Sequence, residues 1–257
     1  MKIAITGKGG VGKTTLSALL GHLYSNEGKK VIAVDADPDA NLAAAFGVDK
    51  EAFEKITPIA QMADLIEERT GARPGKMGGM YKLNPKVDDL VEKIGFSVDS
   101  ISLLIMGKSK EAGSGCYCPE NVLLRRLLRH LVLDREDVVI VDMEAGIEHL
   151  TRGTAEGVDA FIVVVEPGQR SIQTALTVQK LAHGLGVKKV FVVTNKSRGQ
   201  EDIDFIKAAL PDMVLIGHIS FSYKVMEGDI QGIPPYKVSE ETLAEARQIK
   251  QSLESFL

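Results

Sequence analysis

Residues 7–15 read Gly-Lys-Gly-Gly-Val-Gly-Lys-Thr-Thr, and they leave few folds open to the chain. They fit G-x-x-x-x-G-K-[ST] at Gly7, Gly12, Lys13 and Thr14. An apolar run, Lys2–Thr6, precedes them and predicts a strand. A run with helical periodicity (Leu16, Leu19, Leu20, Leu23) follows and predicts a helix. Strand, glycine loop and helix in that order make a phosphate cradle. Gly9, Gly10 and Gly12 let successive backbone N–H groups turn toward one anion, a path that side chains resist. The helix starting near Lys13 aims the positive end of its dipole at the same point. Lys13 then reaches the β/γ-phosphates, and the Thr14 hydroxyl serves Mg²⁺. Gly9, Gly10, Val11, Gly12, Lys13, Thr14 and Thr15 are the expected nucleotide contacts.

The rest of the chain alternates strand-like and helix-like runs. Expected strands are 2–6, 30–35, 101–106, 138–142, 160–165, 189–194 and 214–219; expected helices are 13–27, 120–133, 170–185, 200–209 and 239–256. Several strands are unbroken apolar runs, such as Val-Val-Ile-Val and Phe-Ile-Val-Val-Val. Such runs suit strands covered on both faces of a mostly parallel sheet, so the expected class is doubly wound α/β. No linker rich in Ser and Pro divides the 257 residues, which points to one P-loop domain over 1–257. A helical and loop insertion at about 49–100 interrupts the rhythm. Its loop Arg73–Pro85 carries Met77 and Met80, read as core plugs, as part of a mobile partner-contact loop, or as soft ligands for a metal in transit.

Charge narrows the function. The net charge is −4, and no Lys/Arg cluster marks a nucleic-acid footprint. The nearest candidate, Arg125, Arg126 and Arg129, is expected on the solvent face of one helix. The last stretch, Ser239–Leu257, is acidic, the reverse of a basic membrane anchor. No apolar run is long enough to span a bilayer, and the N-terminus enters a strand directly rather than reading as a signal peptide. A cytoplasmic protein that binds neither nucleic acid nor membrane is the expectation.

Lys8, directly after the first glycine, goes beyond an ordinary P-loop. Lys-Gly-Gly-Val-Gly-Lys-Thr resembles the deviant Walker A motif of the MinD, ParA and nitrogenase-iron-protein group of ATPases. The resemblance implies ATP as substrate and a homodimer that sandwiches the nucleotide, with Lys8 crossing to the partner's phosphates. Val34-Asp-Ala-Asp-Pro-Asp-Ala-Asn41 resembles that group's switch I, which gives Asp37 the task of positioning the attacking water and supporting Mg²⁺. Asp39 reads as a capping or turn aspartate. Val138-Val-Ile-Val-Asp142 ends as a Walker B strand does, which implies that Asp142 holds Mg²⁺ through water. Asp142-Met-Glu-Ala-Gly146 resembles switch II, with Gly146 able to swing toward the γ-phosphate. Glu144, Glu148 and His149 lie on that segment, His149 reading as a surface histidine rather than a metal or proton partner. Asn195, at the end of a later strand, matches the asparagine with which the group holds adenine. The base loop that should follow departs from the pattern, since His218-Ile-Ser-Phe-Ser222 lacks proline.

The chain's two cysteines, Cys116 and Cys118, stand one residue apart, which random placement produces about 1% of the time. A disulfide at this spacing would be strained. Pro119 suits the first position of a helix, which makes Cys118 its N-cap and favours the thiolate. Two thiolates leave a soft metal half-coordinated; a two-fold dimer supplies four. Deviant P-loop, Asp-Ala-Asp-Pro-Asp, Cys-x-Cys and Asp-Met-Glu-Ala-Gly occur in that order. Together they resemble the ATPases that mature nickel carbon monoxide dehydrogenase, and the related acetyl-CoA synthase accessory ATPases. The resemblance implies a metallochaperone whose dimer closes on Ni²⁺ or Zn²⁺ with ATP and opens on hydrolysis, serving a client nickel enzyme. Two other readings stay open: an iron–sulfur carrier or reductase with a cluster bridging the dimer, and a MinD/ParA-like positioning ATPase.

Overall fold

Runs of Val and Ile at the expected places form the strands of one eight-stranded sheet. The computed structural model describes residues 1–37, 39–75, 80–107, 118–145, 155 and 157–257. The strands are β1 (Lys2–Gly7), β2 (Val31–Asp35), β3 (Phe96–Val98), β4 (Ile101–Ile105), β5 (Val138–Asp142), β6 (Ala160–Val165), β7 (Val190–Ser197) and β8 (Val214–Ser220). Their order is β3-β4-β2-β5-β1-β6-β7-β8. Every neighbouring pair is parallel except β3 with β4. β3 was not foreseen. It is three residues of half-exposed edge strand, hairpinned onto β4 through Asp99 at φ 49, and so short a run carries no alternation to read.

Period two splits the strands between two cores. Ile3, Ile5, Ala33, Ile140, Ile162 and Val164 point to one face, under helices α1 (Lys13–Asn26) and, near the C-terminus, 240–256. Ala4, Val34, Val139, Val141, Phe161 and Val163 point to the other. That face is covered by α2 (Ala63–Thr70), α3 (Pro119–Leu133), α4 (Gln169–Gly184) and α5 (Gln200–Ala209). α6 (Tyr223–Gln231), where the sequence predicts no helix, the short helix Pro235–Val238 and α7 (Glu240–Phe256) end the chain. Both faces are therefore covered, as a doubly wound sheet requires.

α3 packs by a leucine stripe: Leu123, Leu124, Leu127, Leu128 and Leu131 are buried. Its arginines correct the expectation of a solvent face. Arg129 is exposed, but Arg125 and Arg126 are half-buried, and the Arg126 Nε is fully so. Within the insertion, Arg69 grips Asp89 with two hydrogen bonds of 2.9 and 2.7 Å, fastening α2 to the short helix Leu90–Ile94. Met80 is 98% exposed and plugs no core; Met77 lies outside the described residues. The strand order places β1 between β5, which leads to β2 on one side, and β6 on the other. The crevice of an open α/β sheet forms at such a reversal, at the carboxyl ends of the strands. The loop leaving β1 opens there.

Candidate nucleotide site

Gly10 and Gly12 are demanded by the path of the loop, whereas Gly9 is not: its φ is not positive and an added Cβ would meet nothing within 4 Å. Gly10 and Gly12 adopt φ of 79 and 95, the left-handed region. At Gly12 a second constraint adds to the first, since an added Cβ would sit 2.0 Å from the Asn195 amide nitrogen. Gly12 is also the N-cap of α1 and offers no side chain to its first amides. Those N–H groups stay directed at the space above, where an anion satisfies them and the helix dipole together. That space is a cavity of about 740 Å³, floored by Gly9, Gly10, Gly12, Lys13, Thr14 and Thr15 and walled by Asp37, Glu144 and Asn195.

Two buried aspartates stand beside one another at the carboxyl edge of the sheet. Asp35 ends β2, Asp142 ends β5, and the sheet register pairs them directly. Asp35 accepts from the amides of Leu42 at 2.8 Å and Asp37 at 3.2 Å. It thereby shapes the turn that delivers Asp37, a structural task the sequence reading did not give it. Asp37 receives Lys13, whose Nζ lies 3.7 Å from its carboxylate, with both side chains largely buried. Asp39 is exposed; its amide donates to the Asp37 carboxylate, so it is a turn residue and caps no helix. Among the described residues, the Asp142 Oδ1 is buried with no hydrogen-bond partner. An unsatisfied carboxylate oxygen near Thr14 matches what a hard divalent cation and its water shell require.

Burial pushes Asp35 up to about 7, against the pull of the Leu42 amide, and Asp142 adds to the rise. Burial pushes Asp142 up to about 6, against the Thr14 hydroxyl and Lys13. Both groups therefore keep protons in the folded chain at pH values where the unfolded chain has lost them. Stability of the nucleotide-free protein should be highest at and below about pH 4 from this source and fall as pH rises to about 7. The slope approaches roughly 1.4 kcal/mol per pH unit for each group titrating. Urea unfolding at pH 5, 6, 7 and 8 without Mg²⁺ measures it; a stability that rises over that range would contradict the assignment.

The far wall holds Asn195 and the 218–222 stretch, which the motifs announced, with Lys196 and Glu166, which they did not. The Asn195 Nδ2 donates to the Val11 carbonyl at 2.7 Å, which ties β7 to the glycine loop. Lys196, at φ 57, reaches over the loop, and its Nζ donates to the Gly10 carbonyl at 2.6 Å. Glu166 lies 3.7 Å from Lys8 and 3.8 Å from Lys196. Ile219, Ser220, Phe221, Ser222 and Met226 complete the cavity. This is the stretch without proline, and other contacts hold it. Glu245 of α7 accepts from the Ser220 amide at 3.0 Å and hydroxyl at 2.6 Å, while the Ser222 hydroxyl caps α6 by accepting from the Val225 amide. Lys196 and Glu166 meet the loop only through contacts distant in sequence, which no local pattern announces.

Cys118 is the N-cap of α3, in extended conformation with Pro119 after it, and is 7% exposed. α3 runs back between parallel strands, so its first turn lies at the carboxyl edge of the sheet, the edge of the phosphate cradle. Cys116, Gly146, Glu148 and His149 lie outside the described residues.

A family model described as the CobQ/CobB/MinD/ParA nucleotide binding domain matches residues 2–235. The chain belongs to this family. Like its members it is an ATP-binding ATPase of the P-loop fold. It is 46% identical over 239 residues to the carbon monoxide dehydrogenase accessory protein CooC of Rhodospirillum rubrum, covering 93% of this chain and 90% of that one. It is 48% identical over 237 residues to an uncharacterised ATP-binding protein of Methanocaldococcus jannaschii, covering 91% and 90%. The cell division ATPase MinD of Pyrococcus furiosus shares the fold, with a TM-score of 0.69, 20% identity and full coverage of both chains. No helix among the described residues is long and apolar enough to cross a membrane.

Proposed function

We propose that this family member is a metallochaperone ATPase of the CooC kind, a cytoplasmic P-loop domain that closes as a homodimer over ATP and one Ni²⁺ or Zn²⁺ ion. The observation that carries the reading is the pairing of a deviant P-loop with a Cys-x-Cys whose second residue stands at the N-cap of a helix on the cradle's own sheet edge. Similarity over 93% of the chain to an accessory protein of carbon monoxide dehydrogenase supports a nickel enzyme, that dehydrogenase or acetyl-CoA synthase, as client.

ATP enters with its phosphates on the loop amides and on Lys13. The β/γ-phosphates take Lys13 away from Asp37, which leaves that carboxylate free to orient the attacking water. Thr14 and Asp142 would hold Mg²⁺, which neutralises charge on the phosphates and on the leaving group. Asn195 turns its amide to adenine, exchanging the Val11 carbonyl for the base edge. Lys8 supplies a second cation across the dimer. Cys116 and Cys118 of both protomers give four thiolates, the closed set that zinc and similar ions prefer.

The test is a metal titration with and without a non-hydrolysable ATP analogue, read by gel filtration with metal analysis. One ion per dimer is expected, bound more tightly with nucleotide, and nucleotide bound more tightly with metal, as reciprocity requires. One tightly held ion on the monomer peak would overturn the shared site. A visible spectrum with stoichiometric iron and sulfide would favour the cluster carrier instead.

A further inference from the structure

We propose that Glu166 is a positioning residue that parks Lys8 in the single chain, so that closing the dimer requires breaking this contact. The proposal rests on Lys8 acting across the interface. β6 pairs with β1 so that Val164 lies level with Gly7, which carries Glu166 alongside the start of the glycine loop. Its carboxylate is shared. One oxygen lies 3.7 Å from the Lys8 Nζ, and the other 3.8 Å from the Lys196 Nζ. Lys196 is anchored a second time, by its hydrogen bond to the Gly10 carbonyl, and the Glu166 amide donates to the Ser171 hydroxyl. Glu166 is thus held by its backbone and by Lys196, and it offers a fixed acceptor to Lys8. Among the described residues Lys8 makes no other ion pair.

The strength of the contact suits a reversible hold. The Lys8 and Glu166 side chains are 39% and 30% exposed, so water screens the pair. A triphosphate carries several negative charges against the single one of Glu166, so a nucleotide presented by a second chain draws Lys8 off the carboxylate. Without that nucleotide the lysine stays turned toward its own β6, and the faces of two chains meet without their bridging cations. ATP occupancy of the partner, rather than collision alone, then commits the dimer.

Glu166→Gln keeps the shape and removes the charge. The release of two lysines per dimer should tighten dimerisation by roughly 2- to 30-fold, the effect of one exposed ion pair per protomer counted twice. Sedimentation of wild type, Glu166→Gln, Lys8→Ala and the double variant, with Mg²⁺ and a non-hydrolysable ATP analogue, measures it. The protein concentration for half-maximal turnover should fall by the same factor in Glu166→Gln. In the Lys8→Ala background the Glu166 change should move dimerisation less than twofold. That separates parking from a general loosening through Lys196, which would persist without Lys8. Without nucleotide, Glu166→Gln should stay monomeric. A Glu166→Gln dimer equal to or weaker than wild type, beside a Lys8→Ala that fails to dimerise, overturns the parking and leaves the trans reading standing. A Lys8→Ala variant that dimerises normally overturns both.

Discussion

Lys13→Ala should lower ATP turnover by on the order of 10³-fold, the loss seen when one preorganised group facing transition-state charge is removed. Lys13 is 6% exposed, at the first turn of α1, where the left-handed Gly12 delivers it into the cavity. Among the described residues lining the cavity the other cation is Lys196, and it is engaged by the Gly10 carbonyl and Glu166. The loss of Lys13 also removes a cation from two carboxylates: Asp37, at 3.7 Å, and Asp142, whose proton Lys13 helps to expel. The variant's Asp142 should therefore hold its proton to higher pH, which further opposes Mg²⁺. The helix itself should survive, because alanine is a good helix former and the Gly12 N-cap is unchanged. Steady-state phosphate release beside circular dichroism gives the comparison. A folded variant with wild-type turnover would remove this loop from the chemistry.

Cys116→Ser and Cys118→Ser should each weaken metal binding to the dimer by more than roughly 100-fold, beyond what loss of a mere supporting partner costs. Each change removes two ligands from a two-fold site, and a hydroxyl is a poor substitute for a thiolate toward Zn²⁺ or Ni²⁺. Neither cysteine is among the described residues lining the nucleotide cavity, so affinity for a fluorescent ATP analogue on the monomer serves as the control. The metal-driven dimer should vanish while nucleotide binding by the single chain persists. Binding by the wild type should also weaken on acidification, because protons compete for the thiolates. Isothermal titration with Zn²⁺ at pH 6 and 7.5 reads both effects. Full metal content in the double serine variant would place the ion elsewhere.

Most of the sheet was legible because its information is local. A strand buried on both faces must be apolar throughout, and Val138–Val141 and Phe161–Val165 satisfy that within a few residues. The phosphate loop is equally local, since Gly10 and Gly12 answer to the backbone angles of their own positions. The first turn of α3 was legible for the same reason. Pro119 can open a helix but not continue one, so Cys118 had to be the cap. The order β3-β4-β2-β5-β1-β6-β7-β8 was not written in any of these runs, nor was the meeting of Asp35 with Asp142 that follows from it.

By itself, then, the chain's sequence determined most of the strands and of the helices that cover them, the anion cradle and the residue types able to serve a nucleotide. The tertiary structure decided which distant side chains surround that cradle. Asn195 packs against Gly12 across 183 residues of chain, Glu245 holds Ser220, and Glu166 stands between Lys8 and Lys196. It also raised the affinity of Asp35 and Asp142 for protons, which depends on burial. The physical reason is range. Propensity, periodicity and turn chemistry act over a few residues, whereas ion pairs, desolvation and close packing act between whatever the sheet order brings together.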